Sequence, residues 1–200
     1  MLADRLTPEH IKAYAAHMAK TYDIVYVTDN TKHLKDQLRQ AILQVNPHAD
    51  INAYFDHWAF TLGNLVWTPF SVEDPKPLAS WPFYWQIITI AHEAMHRVQN
   101  KTHGLDVFGW DYLSNEESRG QYEYEAYRTG LELYPVLCDG QQLEPVMMAQ
   151  TLTNYGCTSK TIEFVAAQLT AAKKIIQAGG VITETSQTTL AWLAENVQPA

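Results

Sequence analysis

The strongest periodic signal in the chain lies between Tyr84 and Asn100. At 100° per residue, Ile87, Ile88, Ile90, Ala91, Ala94, Met95 and Val98 fall in one broad arc. Thr89, His92, Glu93 and His96 gather on the opposite side, with Gln99 at its edge. This pattern predicts an amphipathic helix that starts at Ser80-Trp81-Pro82 and stops around Thr102-His103-Gly104. Upstream, Thr7-Pro8-Glu9 joins an N-cap hydroxyl, a proline at the first helical position and an acid near the positive end of the helix dipole. A helix to about Lys20 follows from it. The β-branched run 23-DIVYVTD-29 predicts a strand and then a turn at Asp29-Asn30. Leu34, Leu38 and Ile42 mark a helix over residues 31–45, ended by Asn46-Pro47, with a short helix expected near Ile51–Trp58. The segment 60-FTLGNLVWTPF-70 reads as one strand bent at Gly63-Asn64, followed by the proline-rich loop 73-EDPKP-77.

Beyond the central helix, 104-GLDVFGWDYLSN-115 has the Gly, Asp and Trp content of a loop, either a flap or a segment packing its Trp and Phe on the helix. A second, polar-aromatic helix is expected over about Glu116–Leu133, then two or three helical segments with a gap at Gly179-Gly180. No internal repeat or linker divides the chain, so residues 1–200 read as a single, mostly helical α+β domain with a small sheet.

Composition narrows the function classes. Of the 200 residues, 46% are hydrophobic and 18% charged, which is a folded rather than a disordered profile. The formal net charge of −8, with no basic run, argues against a nucleic-acid partner. The N-terminal residues lack the apolar segment of a signal peptide. The apolar run around Ile87 is interrupted by His92 and Glu93, so no membrane span is expected. The cytoplasm is therefore the default compartment; export without a signal peptide, or packaging in a particle, would leave no mark in the sequence. Cys138 and Cys157 form neither a disulfide framework nor a CxxC pair and read as buried thiols.

The polar face of the central helix carries the chemistry. His92 and His96, four residues apart, project from one face and can share an ion, while Glu93 stands a third of a turn round, within reach of a metal-bound water. This is the HExxH arrangement: two neutral imidazoles for Zn²⁺ and a glutamate that takes the proton of the water. About one chain in a hundred of this length would carry the motif by chance, but few would set it mid-helix opposite an apolar stripe. A third ligand is needed. His103 arrives one residue late for a metzincin and lacks the glycine turn that would bring it back. In 122-YEYEAYR-128, Glu123 and Glu125 point about 200° apart, so one alone can face the ion. Glu123, with Glu116, Arg119 and Tyr127 at helical spacing around it, is the better choice. Glu125 neighbours Gln121 and Arg128, as a solvent-facing or ion-paired acid would.

The pair 92-HEAMHRVQ-99 and 123-EYEAY-127 resembles the HExxH…ExxA(D/Y) pattern of gluzincin-type zinc metallopeptidases. Together with 61-TLGNLVWTPF-70, it also looks like the zincin-like domain associated with extracellular contractile injection systems and related phage or secreted bacterial proteins. The resemblance covers about residues 60–130. It implies a zincin-like fold whose edge strand, at 61–68, lines the active-site helix. It further implies His92, His96 and Glu123 as zinc ligands, Glu93 as general base, and a peptide or protein substrate. Tyr127 stands where many gluzincins have an aspartate. For an oxyanion partner Tyr112, Tyr122, Tyr127 and Arg119 are candidates, and Gln99 is placed to orient a ligand. Two rivals stand beside the hydrolase. One is a silent zincin-fold structural or binding protein, which the retained Glu93 disfavours. The other is a di-iron carboxylate protein, disfavoured because a second ExxH is missing.

Overall fold

Thr7 opens the first long helix as its sequence predicts: its Oγ1 accepts from the His10 amide, and α1 runs Pro8–Tyr22. The computed structural model describes residues 1–28, 31–45 and 51–197. The turn expected at Asp29-Asn30 and the helix stop expected at Asn46-Pro47 lie outside the described residues. The chain then gives β1 (Val25–Val27), α2 (Lys32–Val45), α3 (Ile51–His57), β2 (Phe60–Leu62), β3 (Leu65–Trp67) and α4 (Phe83–His103). These are followed by α5 (Leu105–Ser114), α6 (Glu116–Leu137), α7 (Pro145–Gln150), α8 (Ser159–Gln177) and α9 (Glu184–Asn196). Single 3₁₀ turns occupy Leu2–Arg5 and Thr151–Tyr155. The fold is thus mostly helical with one small mixed sheet, the α+β class expected.

Two expectations need correction. Residues 60–70 are not one bent strand. Gly63 has φ 63°, which a glycine at the first position of a two-residue hairpin loop adopts freely, so the chain folds back and β2 pairs antiparallel with β3. Of these two, β2 is an edge strand and β3 is central, with β1, the other edge, parallel on its far side. Residues 105–114 are not a loop but α5. Gly104, at φ 82°, ends α4 and redirects the chain. Leu105, Phe108 and Tyr112 then recur at helical spacing, a signal that the neighbouring Gly and Asp residues obscured.

Register sets what the sheet presents. Tyr26, Val66 and Thr61 lie side by side across the three strands and so share one face, which packs against α4. Val27 and Trp67 point the other way, onto Phe55 of α3. Helix α4 runs through the middle of the molecule. Its Ile87, Ile90, Ala91 and Ala94 are fully buried in one cluster with Ile11, Tyr14 and Met18 of α1 and Trp192 of α9. Each large aliphatic side chain buried this way contributes about 1.5–3 kcal/mol. Arg97 fastens α1 to α4, donating through Nε to Tyr22 O (3.2 Å) and through a terminal nitrogen to Asp23 Oδ2 (2.9 Å). A second cluster joins α6, α7 and α8 around Leu131, Leu152, Val165 and Leu169. Helices α6 and α8 approach closely at Gly120, where an added Cβ would stand 2.5 Å from Thr161 Cγ2. Among the described residues, no helix is long and apolar enough to cross a membrane.

Candidate metal centre

The polar face of α4 is largely buried. Glu93, His96, Gln99 and Asn100 are buried, because α5, α6 and the β2 edge close over that side of the helix. One turn of α4 presents His92 and His96 together, their rings 4.9 Å apart and nearly perpendicular. From α6, Glu123 reaches across with 1% exposure. Its Oε1 lies 3.5 Å from His96 Nε2 and its Oε2 3.6 Å from His92 Nε2. Ligand atoms of all three groups fall within 4.8 Å of one another. Atoms at zinc-ligand distances around a tetrahedral ion stand about 3.3 Å apart, so the three groups fit such an ion.

Glu123 carries the clearest sign of a missing positive partner. Tyr112 donates to its Oε1 at 2.6 Å, but its Oε2 is buried without a hydrogen-bond donor. Leaving a buried carboxylate oxygen unsatisfied is costly, and a cation in front of it removes the cost.

Each histidine is aimed by a second contact. Gln99 Nε2 donates to Tyr122 O and to Glu125 Oε2, both at 2.9 Å, which turns Gln99 Oε1 toward His96 Nδ1. An amide oxygen can only accept, so Nδ1 carries a proton and Nε2 is the nitrogen that faces Glu123 and would bind a cation. The Ala126 backbone on α6 favours the protonated form of His92, and the Nε2 of that ring faces the carboxylates. Glu93 is held from the sheet side: Thr61 Oγ1 donates to Glu93 Oε2 at 2.8 Å and lies 3.2 Å from its carbonyl oxygen.

Burial and mutual charge set the proton affinities. Burial would raise the Glu123 carboxyl, yet the charge and hydrogen bond of His96, then His92 and Tyr112, hold it down at about 2. Burial would lower His96, but Glu123 and Glu93 raise it to about 9. Burial and the neighbouring His96 push His92 down to about 4. Glu93 is raised by burial to about 7, with His96 and Thr61 opposing the rise. Without a cation, His96 is therefore the protonated partner of an ionised Glu123 carboxylate near neutral pH.

A cavity of about 410 Å³ opens over the group. One wall is Phe60, Leu62 and Gly63 of the β2–β3 hairpin, and the facing wall is Leu105, Gly109 and Leu113 of α5. The C-terminal region closes a third side through Asn154, Tyr155 and Gly156, which no sequence signal had singled out.

Several other expected residues fall elsewhere. His103 is exposed, its ring 5.5 Å from that of Tyr122, and does not join the group. Glu125 does not pair with Arg128. It accepts from Gln99 and Gln121, and Arg128 instead pairs with Glu132. Glu116 accepts from the backbone and hydroxyl of Thr158 at the start of α8. Tyr127 lays its ring 5.3 Å from that of His92 but turns its hydroxyl to Thr151 Oγ1, so it supports the imidazole and offers no oxyanion contact there. Arg119 donates to the Tyr112 and Leu113 carbonyls and so fixes the end of α5. The Trp of this segment, Trp110, is 73% exposed rather than packed on α4; Phe108 alone takes that place.

Comparison with protein-family models, curated proteins and solved structures finds no match to this chain.

Proposed function

We propose that this chain is a zinc-dependent hydrolase of peptide bonds, with a zincin-like fold of gluzincin type, in which His92, His96 and Glu123 hold the ion. The observation that carries this reading is the unsatisfied Glu123 Oε2, buried between two imidazoles at the floor of an open cavity. The fold reading is supported by the sequence resemblance and by the order of parts around the motif: an edge strand over the HExxH helix and a glutamate from the second helix.

Bound zinc lowers the pKa of a water molecule and polarises a scissile carbonyl. The chain supplies the rest. Gln99 fixes the ring orientation of His96, and the ring of Tyr127 lies against that of His92. Thr61 holds Glu93 by Oε2, leaving Oε1, 4.0 Å from His92 Nε2, on the cavity side. So placed, Glu93 would take a proton from water at the site and return it to the leaving amine; in the metal-free chain burial raises its proton affinity to about 7. The hydroxyls of Tyr112 and Tyr127 are committed to Glu123 and Thr151, so neither is turned toward a developing oxyanion in this arrangement.

The test is metal content per chain, measured on protein purified without added metal, for the wild type and for Glu123→Ala and Glu125→Ala. The expected result is one zinc per chain, lost or weakened in Glu123→Ala alone. Glu93→Gln should keep the metal and lose turnover of peptide substrates. A wild-type chain that takes up no zinc when it is supplied would end the reading.

A further inference from the structure

Helix α5 carries three glycine-sized or half-exposed positions in one stripe: Leu105, Gly109 and Leu113, each four residues from the next. All three line the cavity. Phe108 and Tyr112, on the same side of α5, are already used: Phe108 is buried beside His96, and Tyr112 donates to Glu123. The surface left for a ligand is therefore the leucine–glycine–leucine stripe. Leu105 and Leu113 are 50% and 43% exposed, so neither is satisfied by the protein itself. Leu105 also reaches the hairpin, its methyls 3.6 and 3.7 Å from where a Cβ on Gly63 would stand, and so closes that end of the cavity.

Gly109 is the unusual residue. Glycine is the least favourable residue inside a helix after proline. At Gly120 packing explains the glycine, since a Cβ there would strike Thr161, whereas a Cβ on Gly130 would meet Ile88 and Met148 at ordinary contact distance. A Cβ on Gly109 would meet nothing within 4 Å. No neighbour requires the glycine, and the space it leaves belongs to the cavity.

We propose that Gly109 forms, with Leu105 and Leu113, a notch that accepts a bulky apolar side chain of a polypeptide substrate, and that the missing side chain at 109 sets the size it admits. This rests on the hydrolase reading above and names the substrate class for it. Phe60 and Leu62 supply the opposite apolar wall.

The experiment measures binding rather than turnover. Glu93→Gln protein, with its zinc content determined separately, is titrated with labelled alanine-based decapeptides carrying one central Leu, Phe, Gly or Asp. The Leu and Phe peptides are expected to bind at least about tenfold more tightly than the Gly and Asp peptides. Adding Gly109→Leu should erase that ratio, and Gly109→Ala should reduce it for Phe more than for Leu. Both additions should leave the zinc content unchanged. A preference for Leu and Phe that survives Gly109→Leu would overturn the notch. Equal binding of all four peptides, or binding of none, would overturn it as well. The metal measurement separates the two failures: zinc retained with no peptide preference leaves the metal site standing, whereas zinc absent removes the hydrolase reading itself.

Discussion

Gln99 Oε1 accepts the Nδ1 proton of His96 over 2.9 Å, and this one contact decides which face of the imidazole is free. The amide cannot turn over, because its nitrogen is occupied by Tyr122 O and Glu125 Oε2. Gln99→Leu removes the acceptor and leaves both the tautomer and the ring angle of His96 unsupported. Zinc affinity is then expected to fall roughly 10- to 100-fold, read by competition with a chromophoric chelator. Gln121→Ala, which also touches Glu125 but does not reach His96, serves as the control. An unchanged affinity in Gln99→Leu would mean that His96 is oriented by packing alone.

Metal uptake should be coupled to proton release. His96 is raised to about 9 by Glu123 and Glu93 against the pull of burial, so near neutral pH it must give up a proton before Nε2 can bind a cation. His92, lowered to about 4 by burial and by His96, is already neutral. Apparent affinity should therefore rise by about one logarithmic unit per pH unit between roughly pH 5 and 8 and flatten toward pH 9. For the metal-free protein the signs run in opposite directions. The His96 contribution to stability is complete below its unfolded value near 6.5 and is lost as pH rises through about 9. The Glu123 contribution is present above its unfolded value near 4.5 and is lost as pH falls through about 2. Calorimetric zinc titrations in buffers of different ionisation enthalpy count the protons. A pH-independent affinity across this range would contradict a protonated His96.

What the sequence made legible was local. His92, Glu93 and His96 lie within five residues of one helix, so their common face follows from helical geometry alone. Glu123 could be preferred to Glu125 for the same reason, since a helix sends the two to different sides. The partners that finish the site come from far along the chain. Thr61 reaches Glu93 only because β2 lies at the sheet edge beside α4. Tyr155 enters through a 3₁₀ turn, and no periodic pattern around it announces a functional wall. Helix α5 was read as a loop because Gly104, Gly109 and two aspartates dominate its composition, while the apolar spacing that folds it is sparse. The burial of the polar face of α4 is not legible in the sequence, because periodicity reports which residues are apolar, and not whether a second layer of helices covers the others.

Away from the cavity, Glu132 is the residue on which the C-terminal helix depends. Its buried carboxylate accepts from Arg128 Nε at 2.8 Å, from the amide of Ile182 at 2.9 Å, and from the amide and hydroxyl of Thr183. It thereby ties α6 to the start of α9. Glu132→Ala strands the largely buried Arg128 guanidinium and removes the acceptor for those amides, and is expected to cost about 3–5 kcal/mol. Urea unfolding measures it. Glu132→Gln keeps an acceptor for Thr183 but loses the charge, and should fall between the two. A loss below about 1 kcal/mol in Glu132→Ala, the range of exposed pairs, would show that water replaces the carboxylate without difficulty.

The helical glycines Gly109 and Gly120 should respond to the same substitution with opposite signs. An alanine at 120 would put its Cβ 2.5 Å from Thr161 Cγ2 and 3.3 Å from Val165 Cγ2, on two β-branched side chains of α8 that have little room to retreat. Overpacking of this kind costs about 1–3 kcal/mol, more than the gain in helix propensity returns. An alanine at 109 meets no atom within 4 Å and keeps a helical φ, so only the propensity gain remains, about 0.5–1 kcal/mol in favour of the variant. Denaturation midpoints of the two single variants, measured beside the wild type, check both signs at once. Destabilisation by Gly109→Ala would mean that the space in front of this residue is filled by the protein itself, and the notch on α5 would lose its basis.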